Sequence, residues 1–191
     1  MDVSSVLGRR EKHMILIIAD NKDEKFGRDL YKYYTKINEN VEFVSASGMN
    51  IKPCYGCGGC TQKTFGKCLV RDDMDIIIPL MMKCEKIIYT SPVVWGGFSY
   101  TIRKIVDKMS LTGNVFYKVK KKELIKTSKS KMKKIIGIGI SDNISDKERI
   151  SYENQVKSIA KVTGIKYLGK VFSNTFTDQD IEKLALEVNK I

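Results

Sequence analysis

The sequence predicts an α/β protein in which a doubly wound parallel sheet carries helices on both faces. Two observations lead to that expectation. Short apolar runs rich in isoleucine and valine recur along the 191 residues, as strands buried on both sides require. Between them lie amphipathic stretches with apolar residues at helical spacing, so strand and helix alternate as in successive βαβ units. Size agrees: a chain with 42% hydrophobic and 29% charged residues has an ordinary globular composition and can bury a full core without staples. No internal repeat or shift of composition marks a second unit. Residues 1–191 are therefore expected to form one domain, with residues 1–12 a flexible leader.

Residues 14–19, MILIIA, are a continuous apolar run of the buried-strand type. Residues 26–38 follow as a helix, with Leu30, Tyr33, Tyr34 and Ile37 on one face. Residues 41–46, VEFVSA, alternate weakly and read as a second strand. Asp72 or Asp73 offers an N-cap for a helix running to Met82, in which Pro79 predicts a kink or an early stop. KIIYTSP at 86–92 is the third strand, followed by a helix over 100–109. KKIIGIGI at 133–140 is the fourth strand, 148–162 a helix, KYLGKVF at 166–172 the fifth strand, and 178–189 a closing helix. Five strands connected in this way fit the flavodoxin-like order. Residues 111–131 form a lysine-dense connection longer than usual, read as a lid, a dimer contact or a solvated loop.

The formal net charge of +12 comes almost entirely from dispersed lysine. Without clustered arginine and interleaved aromatics, it reads as a solvated basic surface that attracts phosphorylated cofactors or acidic redox partners, not as a nucleic-acid site. No apolar run has the length of a membrane span, and the first residues lack the apolar core of a signal peptide. A reducing cytoplasm is therefore expected, where structural disulfides are disfavoured. The chain has one histidine, His13, ahead of the first strand, which leaves no Ser-His-Asp or metal–histidine site.

The chemistry concentrates in two motifs. Cys54-x-x-Cys57-x-x-Cys60 and then Cys68 lie in one glycine-rich stretch. Bridging neighbours on so tight a loop would restrict the unfolded chain very little, so a metal or cluster suits these thiols better than a disulfide. Cys84, just before the third strand, is expected to be a buried structural cysteine. SPVVWGG at 91–97 falls where a strand ends and a helix begins, the place where open α/β sheets bind ligands. Pro92 stiffens that turn, Gly96 and Gly97 permit close approach, and Trp95 is a candidate for stacking on a ligand or, alternatively, a core aromatic. Together the motifs point to redox chemistry.

The order PCYGCGGCTQKTFGKCLVRDDM and then IIYTSPVVWGGFSYTIRKIVDK resembles the NAD(P)H-dependent FMN reductase superfamily, and within it the cysteine-bearing branch that includes iron–sulfur flavoproteins. The resemblance implies a flavodoxin-like fold, bound FMN, and homodimers or homotetramers with flavin sites near subunit contacts. It places Ser91, Pro92, Val93, Val94, Trp95 and Gly96 beside the isoalloxazine ring and Ser141, Asp142 and Asn143 in a third contact loop. The FMN phosphate would meet Asp20, Asn21 and Lys22. There the chain departs from the Gly-Ser-rich pattern: Asp20, Asp23 and Glu24 would repel a phosphate, while Lys22, Lys25 and Arg28 would compensate.

For the cysteines three readings stand: a [4Fe–4S] cluster on Cys54, Cys57, Cys60 and Cys68, an FMN-only relative with idle or reactive thiols, and tetrahedral zinc. The expected function is that of an FMN-dependent oxidoreductase or electron-transfer flavoprotein. Electrons would come from NAD(P)H or a ferredoxin-like donor and pass to a quinone, flavin or other acceptor. The alternative is a flavodoxin-fold module that has lost FMN and senses redox state or metal through its thiols.

Overall fold

Ile15–Ala19 (β1) is buried over its whole length, as a strand with neighbours on both sides requires. The computed structural model describes residues 13–20, 24–120 and 122–191; the expected leader at 1–12 lies outside them. Five parallel strands run in the order β2-β1-β3-β7-β8: Val41–Ser45 (β2), β1, Lys86–Val94 (β3), Lys134–Ile140 (β7) and Lys166–Phe172 (β8). This is the flavodoxin-like order expected from the sequence. Its direction reverses between β1 and β3, where Ala19 pairs with Thr90, so the switch point, the place where open α/β sheets carry a ligand crevice, lies beyond the ends of these two strands.

The helices cover both faces. Glu24–Lys36 (α1) and Asp178–Lys190 (α6) bury Phe26, Leu30, Tyr34, Ile181 and Leu184 against one side. Met74–Lys83 (α3), Tyr100–Asp107 (α4) and Asp146–Thr163 (α5) bury Ile77, Ile102, Ile105 and Val156 against the other. Local signals fix the boundaries. Ser145 and Glu148 form a capping box that starts α5, and Gly164 in the left-handed region ends it. Thr177 and Asp180 start α6 in the same way. The glycines of β7 admit their neighbours closely: a Cβ at Gly137 would lie 2.4 Å from Val156 Cγ2 of α5.

Four expectations need correction. Pro79 does not stop α3, which continues to Lys83. Pro79 is the sixth residue of α3, so the helix continues past it without the single bond that an N–H there would have given to Asp75 O. The third strand does not end at Pro92 but runs to Val94 and folds back through Gly97–Phe98 (β4) as an antiparallel hairpin, with Val93 opposite Phe98 and Val94 opposite Gly97. The helix expected over 100–109 ends at Asp107, and a 3-10 turn, Lys108–Thr112, follows. The basic connection at 111–131 is mainly a second sheet, Gly113–Lys120 (β5) paired antiparallel with Glu123–Ser128 (β6). A short helix, Gly59–Gln62 (α2), also forms inside the cysteine segment.

Candidate functional site

The crevice at the end of β1 and β3 is held by hydrogen bonds among buried polar groups. Asp20 follows β1, with its backbone N–H donating to Thr90 O at 3.0 Å, and it is 7% exposed. Its carboxylate accepts the hydroxyl hydrogen of Ser99. Ser99 caps α4, accepting from Ile102 N–H, and its own N–H donates to Ser91 Oγ at 2.8 Å. Ser91 is fully buried and its hydroxyl donates to Pro92 O at 2.7 Å. The hairpin is further tied by Phe98 N–H, which donates to Gln155 Oε1 of α5 at 2.9 Å. Asp20 and Ser91 thus hold the crevice from within, and their side chains face into the protein.

That anchoring projects the hairpin tip outward. Trp95 and Gly96 occupy the turn with φ of 55° and 69°, the sign pattern of a two-residue type I′ turn. Trp95 is 94% exposed, which removes the core reading. Val94 is also exposed, whereas Val93 packs onto the core beside Gly139. Gly96 is needed at this turn: a Cβ there would lie 2.9 Å from Ser151 Cβ and 3.2 Å from Glu148 Cα. Gly96→Ala should therefore destabilise the protein by about 1–3 kcal/mol, read as a lowered urea midpoint, while Gly48→Ala, which meets no neighbour, should cost less.

The third loop is structurally occupied as well. Ser141 N–H donates to Phe172 O at 2.9 Å. Asp142 is exposed and accepts from both the side chain and the backbone N–H of Asn174, and these bonds hold its carboxyl below its ordinary range. Asn143 is exposed beside it. In the expected phosphate loop, Asn21, Lys22 and Asp23 lie outside the described residues. Glu24 is paired with Arg28, and Lys25 with Asp29. Asp20 is turned toward Ser99, so two of the three acids expected to repel phosphate are engaged within the protein.

The cysteine segment leaves the end of β2 and is clamped at both ends. Asp72 accepts from Lys52 N–H at 2.8 Å and Met74 N–H at 3.1 Å, and Asp73 from Asn50 N–H at 2.7 Å. Asp73 stands at the N-cap position of α3, but its side chain does not cap the helix. Gly56 and Gly58 take left-handed φ of 65° and 68°, which lets the backbone wind tightly. Cys54, Cys57, Cys60 and Cys68 all line one small cavity of about 30 Å³, closed below by Lys108, Ser110 and Leu111 of the 3-10 turn. All four are free thiols. Among the described residues, no three His, Cys, Asp or Glu side chains stand close enough to hold a single metal ion.

Cys84 is fully buried, its thiol donates to Met81 O at 3.4 Å, and burial pushes its pKa up to about 12. The expectation of an inert structural cysteine holds. Titration of the metal-free native protein with a thiol reagent should count four reactive cysteines, the fifth appearing only on unfolding. Fast reaction of all five in the native state would contradict this placement.

Ser99, Asp72, Lys108 and Ser110 were not singled out as site residues. Ser99 precedes a helical pattern and was available as a cap. Lys108 and Ser110 meet the cysteines only in the fold, and Asp72 stands behind them as the partner of Lys108. Among the described residues, no helix is long and apolar enough to cross a membrane.

No family model matches the chain. An iron–sulfur flavoprotein of Methanocaldococcus jannaschii is 37% identical over 68 residues, covering 36% of this chain and 34% of that one. An iron–sulfur flavoprotein of Methanosarcina thermophila is 30% identical over 82 residues, 43% of this chain and 42% of that one. The matches thus span well under half the length of these curated relatives. Among solved structures, an azoreductase from Bacillus anthracis superposes with a TM-score of 0.63 over 94% of this chain and 100% of its own, at 11% identity. An NAD(P)H:quinone oxidoreductase from Methanothermobacter marburgensis gives 0.63 over 94% and 96%, at 9% identity. The flavodoxin-like fold is thereby shown, and the resemblance to cysteine-bearing flavoproteins is borne out over part of the chain.

Proposed function

We propose that the protein is an FMN-dependent electron-transfer oxidoreductase that also carries a [4Fe–4S] cluster on Cys54, Cys57, Cys60 and Cys68. The observation that carries this reading is that four thiols from one loop line a single cavity on a fold whose switch point carries a hairpin with an exposed Trp95. The residues suit both groups. Four soft thiolates are the donor set of a [4Fe–4S] cluster, and the left-handed glycines let one short loop present all of them. An apolar, protruding turn anchored by buried polar contacts suits a planar ring.

The flavin would supply the exchange between two-electron and one-electron chemistry, and the cluster single-electron transfer. Val94, Trp95 and Gly96 would wall the ring, with Asp20, Ser99 and Ser91 holding the hairpin in place. The ion pairs Glu24–Arg28 and Lys25–Asp29 balance charge at the start of α1, so the N-terminal end of that helix would supply the attraction for the FMN phosphate. NAD(P)H or a ferredoxin-like protein is the proposed donor, and a quinone, flavin or other acceptor the recipient. A homodimer or homotetramer in the cytoplasm is the proposed setting.

Titration of FMN with metal-free protein should show saturable quenching of flavin fluorescence at micromolar protein. Absence of quenching would favour the thiol-sensing module that has lost FMN. Adding stoichiometric NAD(P)H, and separately a reduced ferredoxin, to the loaded protein would identify the donor class by which of them bleaches the flavin.

A further inference from the structure

The 3-10 turn that floors the cysteine cavity brings two polar side chains to the thiols. Lys108 is 2% exposed and ion-paired with Asp72, whose side chain is 1% exposed. Lys108 lines the cavity with the four cysteines, whereas Asp72 does not. The carboxylate stands behind, taking two further hydrogen bonds from Lys52 N–H and Met74 N–H. Of this buried pair, the lysine is therefore the member in the cavity wall and the carboxylate the more distant one. Ser110 Oγ lies 4.0 Å from Cys60 Sγ, and when that sulfur is a thiolate only the hydroxyl can donate. These residues lie 36 and 50 positions from their partners, and the clamping of the cysteine segment by Asp72 makes the pair part of the loop's own foundation.

We propose that Lys108 and Ser110 are positioning residues that set the reduction potential of a cluster held by Cys54, Cys57, Cys60 and Cys68, a role that rests on the cluster reading above. Potentials of such clusters depend on local charge, hydrogen bonds to sulfur and exposure. A lysine in the cavity wall, nearer than its carboxylate partner, and a hydroxyl within reach of a cluster-bound Cys60 sulfur would both favour the more negative, reduced form. The step concerned is the gain of a single electron by the cluster, delivered in the test by dithionite through mediator dyes. No bond to Lys108 or Ser110 forms or breaks.

The test is an anaerobic redox titration of the full chain, reconstituted with iron and sulfide and followed by visible absorption and electron paramagnetic resonance, with iron counted on every sample. The variants are Ser110→Ala, Ser110→Thr, and Lys108→Gln combined with Asp72→Asn, which removes the charges as a pair. At fixed poise the reduced-to-oxidised ratio in Ser110→Ala should fall about three- to tenfold, the worth of one net hydrogen bond. Tenfold corresponds to about 59 mV for a one-electron couple. The paired variant should shift in the same direction, and Ser110→Thr, which keeps the hydroxyl, should titrate like the wild type. Full iron content with unchanged or raised ratios in both Ser110→Ala and the paired variant would overturn the inference alone. Loss of iron from both while the wild type keeps it would also overturn it, in favour of a purely structural role. A wild type that takes up no iron would remove the cluster reading itself, a failure seen in the iron assay before any potential is measured.

Discussion

Lys108→Met should destabilise the protein by about 3–5 kcal/mol, because it leaves the Asp72 carboxylate buried without its counter-charge. The damage should extend beyond the pair. Asp72 clamps Lys52 and Met74 at the two ends of the cysteine segment, so its displacement loosens the loop that presents the thiols. Urea unfolding at neutral pH reads the effect directly. Its pH dependence identifies the cause. Burial alone would push the Asp72 carboxyl up, but hydrogen bonds from Lys108, Lys52 N–H and Met74 N–H outweigh it and hold the group below the usual carboxylate range. A carboxyl depressed on folding stabilises the native state above its unfolded pKa of about 3.9 and loses that contribution as pH falls through the folded value. The gap between wild type and Lys108→Met should accordingly be full at pH 6–7 and shrink below about pH 4. A gap that persists undiminished at low pH would assign the loss to packing of the lysine stem.

Ser99→Ala should cost about 2–4 kcal/mol, the sum of a lost helix cap and a buried carboxylate deprived of a donor. Ser99 joins three parts of the site: Asp20 after β1, Ser91 within β3 and the first turn of α4. Its loss should therefore weaken FMN binding as well as stability, although its hydroxyl is directed to Asp20. Ser99→Thr retains the hydroxyl and should lose far less of both. Equal effects for alanine and threonine would mean that the space at this position matters more than the hydrogen bonds.

Much of this architecture is legible in the sequence because its signals are local. MILIIA, KIIGIGI and the alternation of strand and helix patterns lead to the five parallel strands and their order. What escapes is set by contacts between distant segments. The hairpin after Pro92 depends on Trp95 and Gly96 both taking positive φ, a conformation uncommon for tryptophan and stabilised from outside by Gln155 and Ser99. The strands β5 and β6 are obscured by lysines, which the sequence reads as a solvated loop, yet Val119 pairs opposite Leu124 and Lys118 opposite Ile125. The four cysteines are visible as a cluster of thiols from spacing alone. Their floor is not, since Lys108 and Ser110 reach them only once the 3-10 turn after α4 has packed beside α3.

The expected phosphate loop shows the same division. Its acidic residues read as repulsive in one dimension, because sequence gives their charge without their partners. In the fold Asp20 is buried and points to Ser99, while Glu24 pairs with Arg28 at the surface, so neither acid stands alone as the sequence suggests.

The central claim, flavin and a four-iron cluster on one chain, is tested most directly by an anaerobic visible spectrum of freshly purified protein, with flavin, iron and acid-labile sulfide assayed on the same sample. The expected result is one flavin with about four irons and about four sulfides per chain, the iron and sulfide being lost in Cys57→Ser while the flavin remains. A flavin spectrum without iron after anaerobic reconstitution would contradict the cluster, and a colourless protein that FMN does not restore would contradict the flavoprotein.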